Sequence, residues 1–165
     1  MGAGKTSVGR ALARRLRWHF QDLDDLIEQR ENQAIAKIFA NAGENAFRQA
    51  ETAALRELLQ ESVAAGDLVL ALGGGAFAQP QNRTMIEQAG ALTVLLEASL
   101  EELRRRCRSE RHVRPLAQQE EKFAELFASR RAHYELARLR VQTEGKSIEQ
   151  VAADIERWLK QEVVK

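Results

Sequence analysis

Residues 68–72 read Leu-Val-Leu-Ala-Leu and run straight into Gly73, Gly74 and Gly75. An apolar run with no polar interruption reads as a strand buried on both faces, which needs helices to cover it. Three consecutive glycines cost backbone entropy and contribute no packing. They mark either a tight exit from a sheet or a close approach of backbone to a ligand. A second clear strand, Leu92-Thr93-Val94-Leu95-Leu96, and shorter candidates at 18–20 and 139–141 alternate with longer amphipathic stretches. That alternation predicts an α/β fold built on a parallel sheet covered by helices.

The helices follow from spacing and punctuation. Val8, Leu12 and Leu16 fall on one helical face, and Leu26 and Ile27 begin another helix. Ile35, Ile38 and Phe39 form an apolar cluster before Gly43, which breaks the chain ahead of a long helix over about 44–64. A loop holding Pro80 precedes a short helix near 84–89, and Ser99 with Glu102 makes a capping box for the next one. Residues 104–114 have no apolar period and read as a mobile loop, followed by a helix through Phe123, Leu126, Phe127 and Tyr134. Ser147 caps the last helix, whose apolar face is Ile148, Val151, Ile155 and Leu159. With 165 residues and no linker or repeat, the chain reads as one domain, 1–165.

Met1-Gly2-Ala3-Gly4-Lys5-Thr6-Ser7 opens the first helix and matches the second half of G-x-x-x-x-G-K-[ST], the loop whose backbone N–H groups wrap a polyphosphate. Gly2, Ala3 and Gly4 leave the helix N-terminus sterically open, where unpaired N–H groups and the helix dipole favour an anion. The first glycine of the pattern and the strand that feeds it would fall ahead of Met1, so the expectation is an N-terminally truncated domain.

Charge and cysteine usage narrow the partners. The 25 basic and 24 acidic residues leave a net charge of +1, so no overall field draws in nucleic acid or an anionic membrane. Cys107 is the single cysteine and cannot form an internal disulfide, which fits a reducing compartment. With no signal peptide or long apolar run, a cytoplasmic location is expected.

Other residues can carry chemistry. Asp22 and Asp24, two apart at a strand end, would point the same way in extended chain, one near Mg²⁺ and the other on a substrate hydroxyl. Alternatively one of them caps the next helix. Arg48 has Glu51 at i+3, either an orienting pair or a solvated helix face. Arg104, Arg105, Arg106, Arg108, Arg111 and Arg114 make a charged surface loop, or a lid over about 104–118 that brings cations to a transferring phosphate.

In order and spacing these features resemble the shikimate kinase family over nearly the whole chain. The resemblance rests on Gly4-Lys5-Thr6, on Phe20-Gln21-Asp22-Leu23-Asp24 with Ile27, and on Ile38-Phe39. It continues in Gly43-Glu44 with Phe47-Arg48 and Glu51, in the triple glycine, in Arg114-Pro115-Leu116, and in Arg130 four residues before Tyr134. It implies a three-layer α/β/α P-loop kinase fold with a central parallel sheet, similar to nucleoside-monophosphate kinases. It also implies MgATP-dependent phosphorylation of the shikimate 3-hydroxyl, in the pathway to chorismate and aromatic amino acids.

By position, the resemblance gives nucleotide binding to Gly2, Ala3, Gly4, Lys5, Thr6, Ser7, Arg106 and Arg114, with Arg106 on the adenine side. Thr6 and Asp22 would hold Mg²⁺. Asp24 would orient the shikimate hydroxyl, and Lys5 and Arg114 would stabilise the phosphoryl group in flight. Arg48 and Arg130 would grip the shikimate carboxylate, Glu51 would steady Arg48, and the backbone of Gly73, Gly74 and Gly75 would approach the ring. ATP and shikimate are the expected partners and a monomer the expected state. The chain departs from the family's usual pattern at Ala117, Ala132 and Gln142. Two other functions fit parts of the sequence: a ligand-sensing or inactive domain of the same fold, and a sister small-molecule kinase such as gluconate kinase.

Overall fold

Among the described residues, four short strands form two parallel pairs. β1 (His19–Asp22) pairs with β2 (Leu68–Ala71) from His19↔Leu68 to Asp22↔Ala71. β3 (Val94–Glu97) pairs with β4 (Leu139–Gln142) from Val94↔Leu139 to Glu97↔Gln142. This computed structural model describes residues 2–65, 67–109 and 120–163. The chain divides into two compact units, Met1–Arg15 with Thr93–Lys165, and Leu16–Leu92.

Parallel neighbours cannot be joined by a hairpin, so each pair needs a helical crossover. In the unit Leu16–Leu92 this is α2 (Leu23–Glu31) and α3 (Ile35–Ala65), followed after β2 by a 3-10 turn, Ala76–Ala78, and α4 (Pro80–Gln88). Leu23, Ile27, Ile38, Phe47, Ala54, Leu55, Ala76 and Ile86 form its core. As the sequence predicts, Gly43 interrupts α3: its φ of 80° and ψ of 177° are open to glycine and strained for other residues.

The other unit holds α1 (Lys5–Leu16, all but its last residue), α5 (Leu100–Ser109), α6 (Glu120–Tyr134) and α7 (Ile148–Val163). Leu103, Cys107 and Phe123 are buried together there, with Ala3, Ala98, Leu100 and Phe127 packed around them. Both serine caps form. Ser99 Oγ accepts from the Glu102 N–H at 3.2 Å, and Ser147 Oγ accepts from the Gln150 N–H at 3.2 Å. Val151 and Ile155 are buried on α7, whereas Ile148, expected on the same face, is 47% exposed.

Several boundaries differ from expectation for physical reasons. α2 starts at Leu23, three residues early, because Asp22 caps it. α4 starts at Pro80 and not near Thr84, since proline's fixed φ and missing N–H suit the first helical position. The expected mobile loop from residue 104 is helical as far as Ser109. Glu102 staples this turn by accepting from Arg105 and Arg106, each at 2.7 Å, as i,i+3 and i,i+4 partners can. Residues 110–118 of the expected lid, Arg111 and Arg114 among them, lie outside the described residues.

Candidate active site

In the unit containing α1, Gly2 and Gly4 take φ values of +67° and +81°, and the Gly4 carbonyl accepts from the Val8 N–H at 2.8 Å to start the helix. The first-turn N–H groups of a helix have no partner within the helix, so this end is built to meet an anion. Lys5 and Thr6 sit on that first turn, half-buried, and Ser7 is exposed. Gly2 is anchored on α5: a Cβ there would fall 2.8 Å from Cys107 Sγ and from the Leu103 carbonyl. Val8 and Leu12 are buried beneath the loop as their spacing predicts.

The same unit places the adenine candidate, Arg106. Its guanidinium donates to Glu102 Oε1 at 2.7 Å, to Thr143 Oγ1 at 3.0 Å and to the Thr143 carbonyl at 3.3 Å. Thr143 is itself buried and donates to the Glu97 carbonyl at 2.9 Å, so Arg106 is tied to the ends of β3 and β4. Hydrogen bonds from Arg105 and then Arg106, helped by their charge, lower the Glu102 pKa to about 2. Arg130 is half-buried on α6.

The other unit gathers the remaining candidates. Asp22 is extended, with φ −102° and ψ 126°, and its Oδ1 accepts from the Asp24 N–H at 3.0 Å. Asp24 is therefore in the first turn of α2, so the extended chain through both aspartates on which the sequence expectation rested does not form. The capping alternative is the one found for Asp22. The Asp24 side chain lies against Gly73, where a Cβ would overlap its Oδ1 and come within 3.2 Å of Glu51 Oε1.

Arg48 is held from two sides. Its Nη1 donates to Glu51 Oε2 at 2.9 Å, and Nη2 and Nε donate to Glu44 Oε1 at 3.2 and 3.3 Å. Its Cζ lies 5.2 Å from the centre of the Phe47 ring, which in turn packs on Phe39 at 4.6 Å. A Cβ at Gly75 would come within 2.6 Å of the Arg48 Cζ. Arg48 is thus packed in place, contrary to the alternative of a solvated helix face. The glycines at 73 and 75 are required because Asp24, Glu51 and Arg48 pass directly over their backbone.

Glu51 is buried, at 1% exposure. Its Oε2 accepts from Arg48 and, at 2.8 Å, from Gln79 Nε2, while its Oε1 has no hydrogen-bond partner among the described residues. Burial raises the Glu51 pKa, and the Asp24 charge adds to the rise; Arg48 and Gln79 oppose it. Burial also pulls against the charge on Arg48, but Glu51 and Glu44 leave its pKa raised.

Chemically, the first turn of α1 can take phosphate, Asp24 can accept from a hydroxyl, and the planar guanidinium of Arg48 can take a carboxylate. Among the described residues no three or more His, Cys, Asp and Glu side chains cluster to hold a metal. Each unit offers an oxygen of the kind Mg²⁺ takes, the Thr6 hydroxyl on the first turn of α1 in one and the Asp22 carboxylate at the end of β1 in the other. Sequence reasoning missed Gln79. Its one legible signal was its place ahead of Pro80, which marks it as the residue before a helix.

Parallel strands, helical crossovers and a Gly-Lys-Thr at a helix N-terminus define an α/β protein of the P-loop class. A family model described as shikimate kinase matches residues 1–160. The chain belongs to the shikimate kinase family. It is 43% identical over 162 residues to a shikimate kinase of Geobacter metallireducens, spanning 96% of this chain and 87% of the relative. The match to a Thermus thermophilus shikimate kinase is 40% over 158 residues, 94% of this chain and 83% of the relative. Among solved structures, a shikimate kinase from Acinetobacter baumannii in complex with shikimate superposes with a TM-score of 0.89 at 36% identity, covering 100% of this chain and 91% of that one. The Aquifex aeolicus shikimate kinase gives a TM-score of 0.85 at 30% identity, covering 99% and 94%. Among the described residues no helix is long and apolar enough to cross a membrane.

Proposed function

We propose that this chain transfers the γ-phosphoryl group of ATP to the 3-hydroxyl of shikimate. The observation that carries this reading is the cluster in which Asp24 and the Glu51-bound Arg48 flank the glycine turn. A carboxylate to accept from a hydroxyl and a fixed guanidinium to take a carboxylate are what an anionic polyhydroxylated ring requires.

Arg48 and Arg130 bind the shikimate carboxylate, and the backbone of Gly73, Gly74 and Gly75 lies along the ring. Asp24 accepts a hydrogen bond from the 3-hydroxyl, orients its lone pair toward phosphorus and receives its proton as the bond forms. Gly2, Ala3, Gly4, Lys5, Thr6 and Ser7 take the phosphates of ATP, Lys5 and Arg114 stabilise charge on the transferring group, and Arg106 serves the adenine side. Thr6 and Asp22 would hold Mg²⁺, whose contribution when bound is to neutralise phosphate charge. The chain acts as one domain over 1–165, with a lid over about 104–118, as a cytoplasmic monomer.

A coupled assay for ADP release, run with ATP and Mg²⁺ and either shikimate or gluconate, tests this. Shikimate-dependent ADP release is expected. Turnover with gluconate alone, or shikimate binding without turnover, would replace the reading with a sister kinase or a sensor.

A further inference from the structure

The glycine turn is followed by a polar network that the reaction scheme leaves without a role. Asn82 is fully buried; its Nδ2 donates to the Ala76 carbonyl at 3.0 Å and its Oδ1 accepts from Thr52 Oγ1 at 3.0 Å. Gln81 Nε2 donates to Thr52 Oγ1 and to Gln79 Oε1, both at 3.2 Å. An amide can face either way, and the network decides which way this one faces. With its oxygen occupied by Gln81, Gln79 has its nitrogen left for Glu51, which it reaches at 2.8 Å.

Glu51 is the one buried carboxylate holding Arg48, and Oε2 is the oxygen that both Arg48 and Gln79 share. Two donors on one oxygen fix the rotation of the carboxylate more tightly than Arg48 alone, and the single directional bond from Arg48 Nη1 places the guanidinium according to where that oxygen sits. We propose that Gln79, turned by Gln81, is a positioning residue: by donating to Glu51 it fixes the carboxylate that aims Arg48 at the substrate. This rests on the assignment of Arg48 to the shikimate carboxylate. Gln79 touches no reacting atom, so its effect falls on binding of shikimate and not on the phosphoryl step.

The test is a double-mutant cycle of Gln79→Met and Glu51→Gln on the full chain, with KM for shikimate and for ATP and kcat measured for all four proteins. Gln79→Met keeps the length of the side chain and removes the donor. Its expected effect is a KM for shikimate raised about fivefold to tenfold, the usual consequence of losing one hydrogen bond in a binding network, with kcat and KM for ATP within about twofold. In the Glu51→Gln background the same change should have little further effect, because Gln79 acts through Glu51. An equal rise in both backgrounds, or a loss spread over both substrates and kcat, would overturn the proposal in favour of a merely structural role. If Gln79→Met does not fold, Gln79→Asn, one methylene short of Glu51, gives the same comparison.

Absence of shikimate turnover in the unaltered chain would instead sink the functional reading, and the linkage is then read without activity. The ¹³C resonance of the Glu51 carboxyl is titrated in the unaltered chain and in Gln79→Met. Arg48 on its own helix, Asp24 on α2 and Gln79 ahead of α4 are the groups that face it. Removing the Gln79 donor should move the midpoint to higher pH; an unmoved midpoint would show that Gln79 does not hold Glu51.

Discussion

A side-chain carbon on Gly73 would overlap the Oδ1 of Asp24, 49 positions of sequence away in a different element. The glycine is therefore a spatial requirement of the carboxylate and of Glu51 Oε1, which a Cβ would meet at 3.2 Å. Gly73→Ala should push Asp24 off its position. We expect a fall in kcat of at least about tenfold, the scale of a misplaced reacting group, with ATP affinity by calorimetry unchanged. Unaltered turnover would show that Asp24 has room to move.

Asp22 and Asp24 should separate by measurement. Asp22 Oδ1 caps α2, so Asp22→Ala should cost about 1 kcal/mol of stability in addition to any effect on Mg²⁺ dependence. Asp24→Asn leaves that cap in place. It should lower kcat about 10²-fold to 10⁴-fold, the range for loss of a proton acceptor, with an unfolding midpoint close to that of the unaltered chain. Thermal unfolding and steady-state kinetics on both variants check the division.

Gly2 combines a φ of +67° with a wall made by Leu103 and Cys107. Gly2→Ala should destabilise by about 1–3 kcal/mol through overpacking, lowering Tm by about 2–12 °C at about 2–4 °C per kcal/mol for a chain of this size. Adding Cys107→Ala should recover only part of that, because the other contact is the Leu103 carbonyl, which no side-chain change removes. Full recovery in the double variant would place the whole strain on the thiol.

Glu51 sets a pH dependence whose sign is fixed by burial. Its pKa in the folded chain lies above the ordinary 4.5, so the unfolded chain ionises first as pH rises. The folded state binds the proton more tightly, and this contribution to stability is complete below about 4.5 and is lost as pH rises through the raised pKa. The stability of the unaltered chain minus that of Glu51→Gln should therefore fall over this window. Denaturant unfolding at a series of pH values measures it; a difference rising with pH would reverse the assignment.

The sequence was sufficient wherever the cause is local. Leu68 to Ala71 and Val94 to Leu96 are short uninterrupted apolar runs that read as buried strands, Ser99 and Ser147 cap with partners three residues on, and Gly43 breaks its helix. Local signals also misled where two short-range rules competed: Asp22 to Asp24 read as extended chain although Asp22 is a helix cap, and the stretch from Arg104 lacks an apolar period although Glu102 pins Arg105 and Arg106 into a helix.

The motif Gly-Lys-Thr and the pairing of Arg48 with Glu51 were legible because their partners sit within one turn of helix. What only the tertiary structure decided is which distant groups meet them. Glu51 and Gln79 are 28 positions apart, and Gly75 lies under Arg48 from another element. No propensity or period encodes such contacts, since they depend on how β1 and β2 register and on where α3 and the 3-10 turn pack. Three glycines announce that something comes close; the packing of the elements determines that it is a carboxylate at Gly73 and a guanidinium at Gly75.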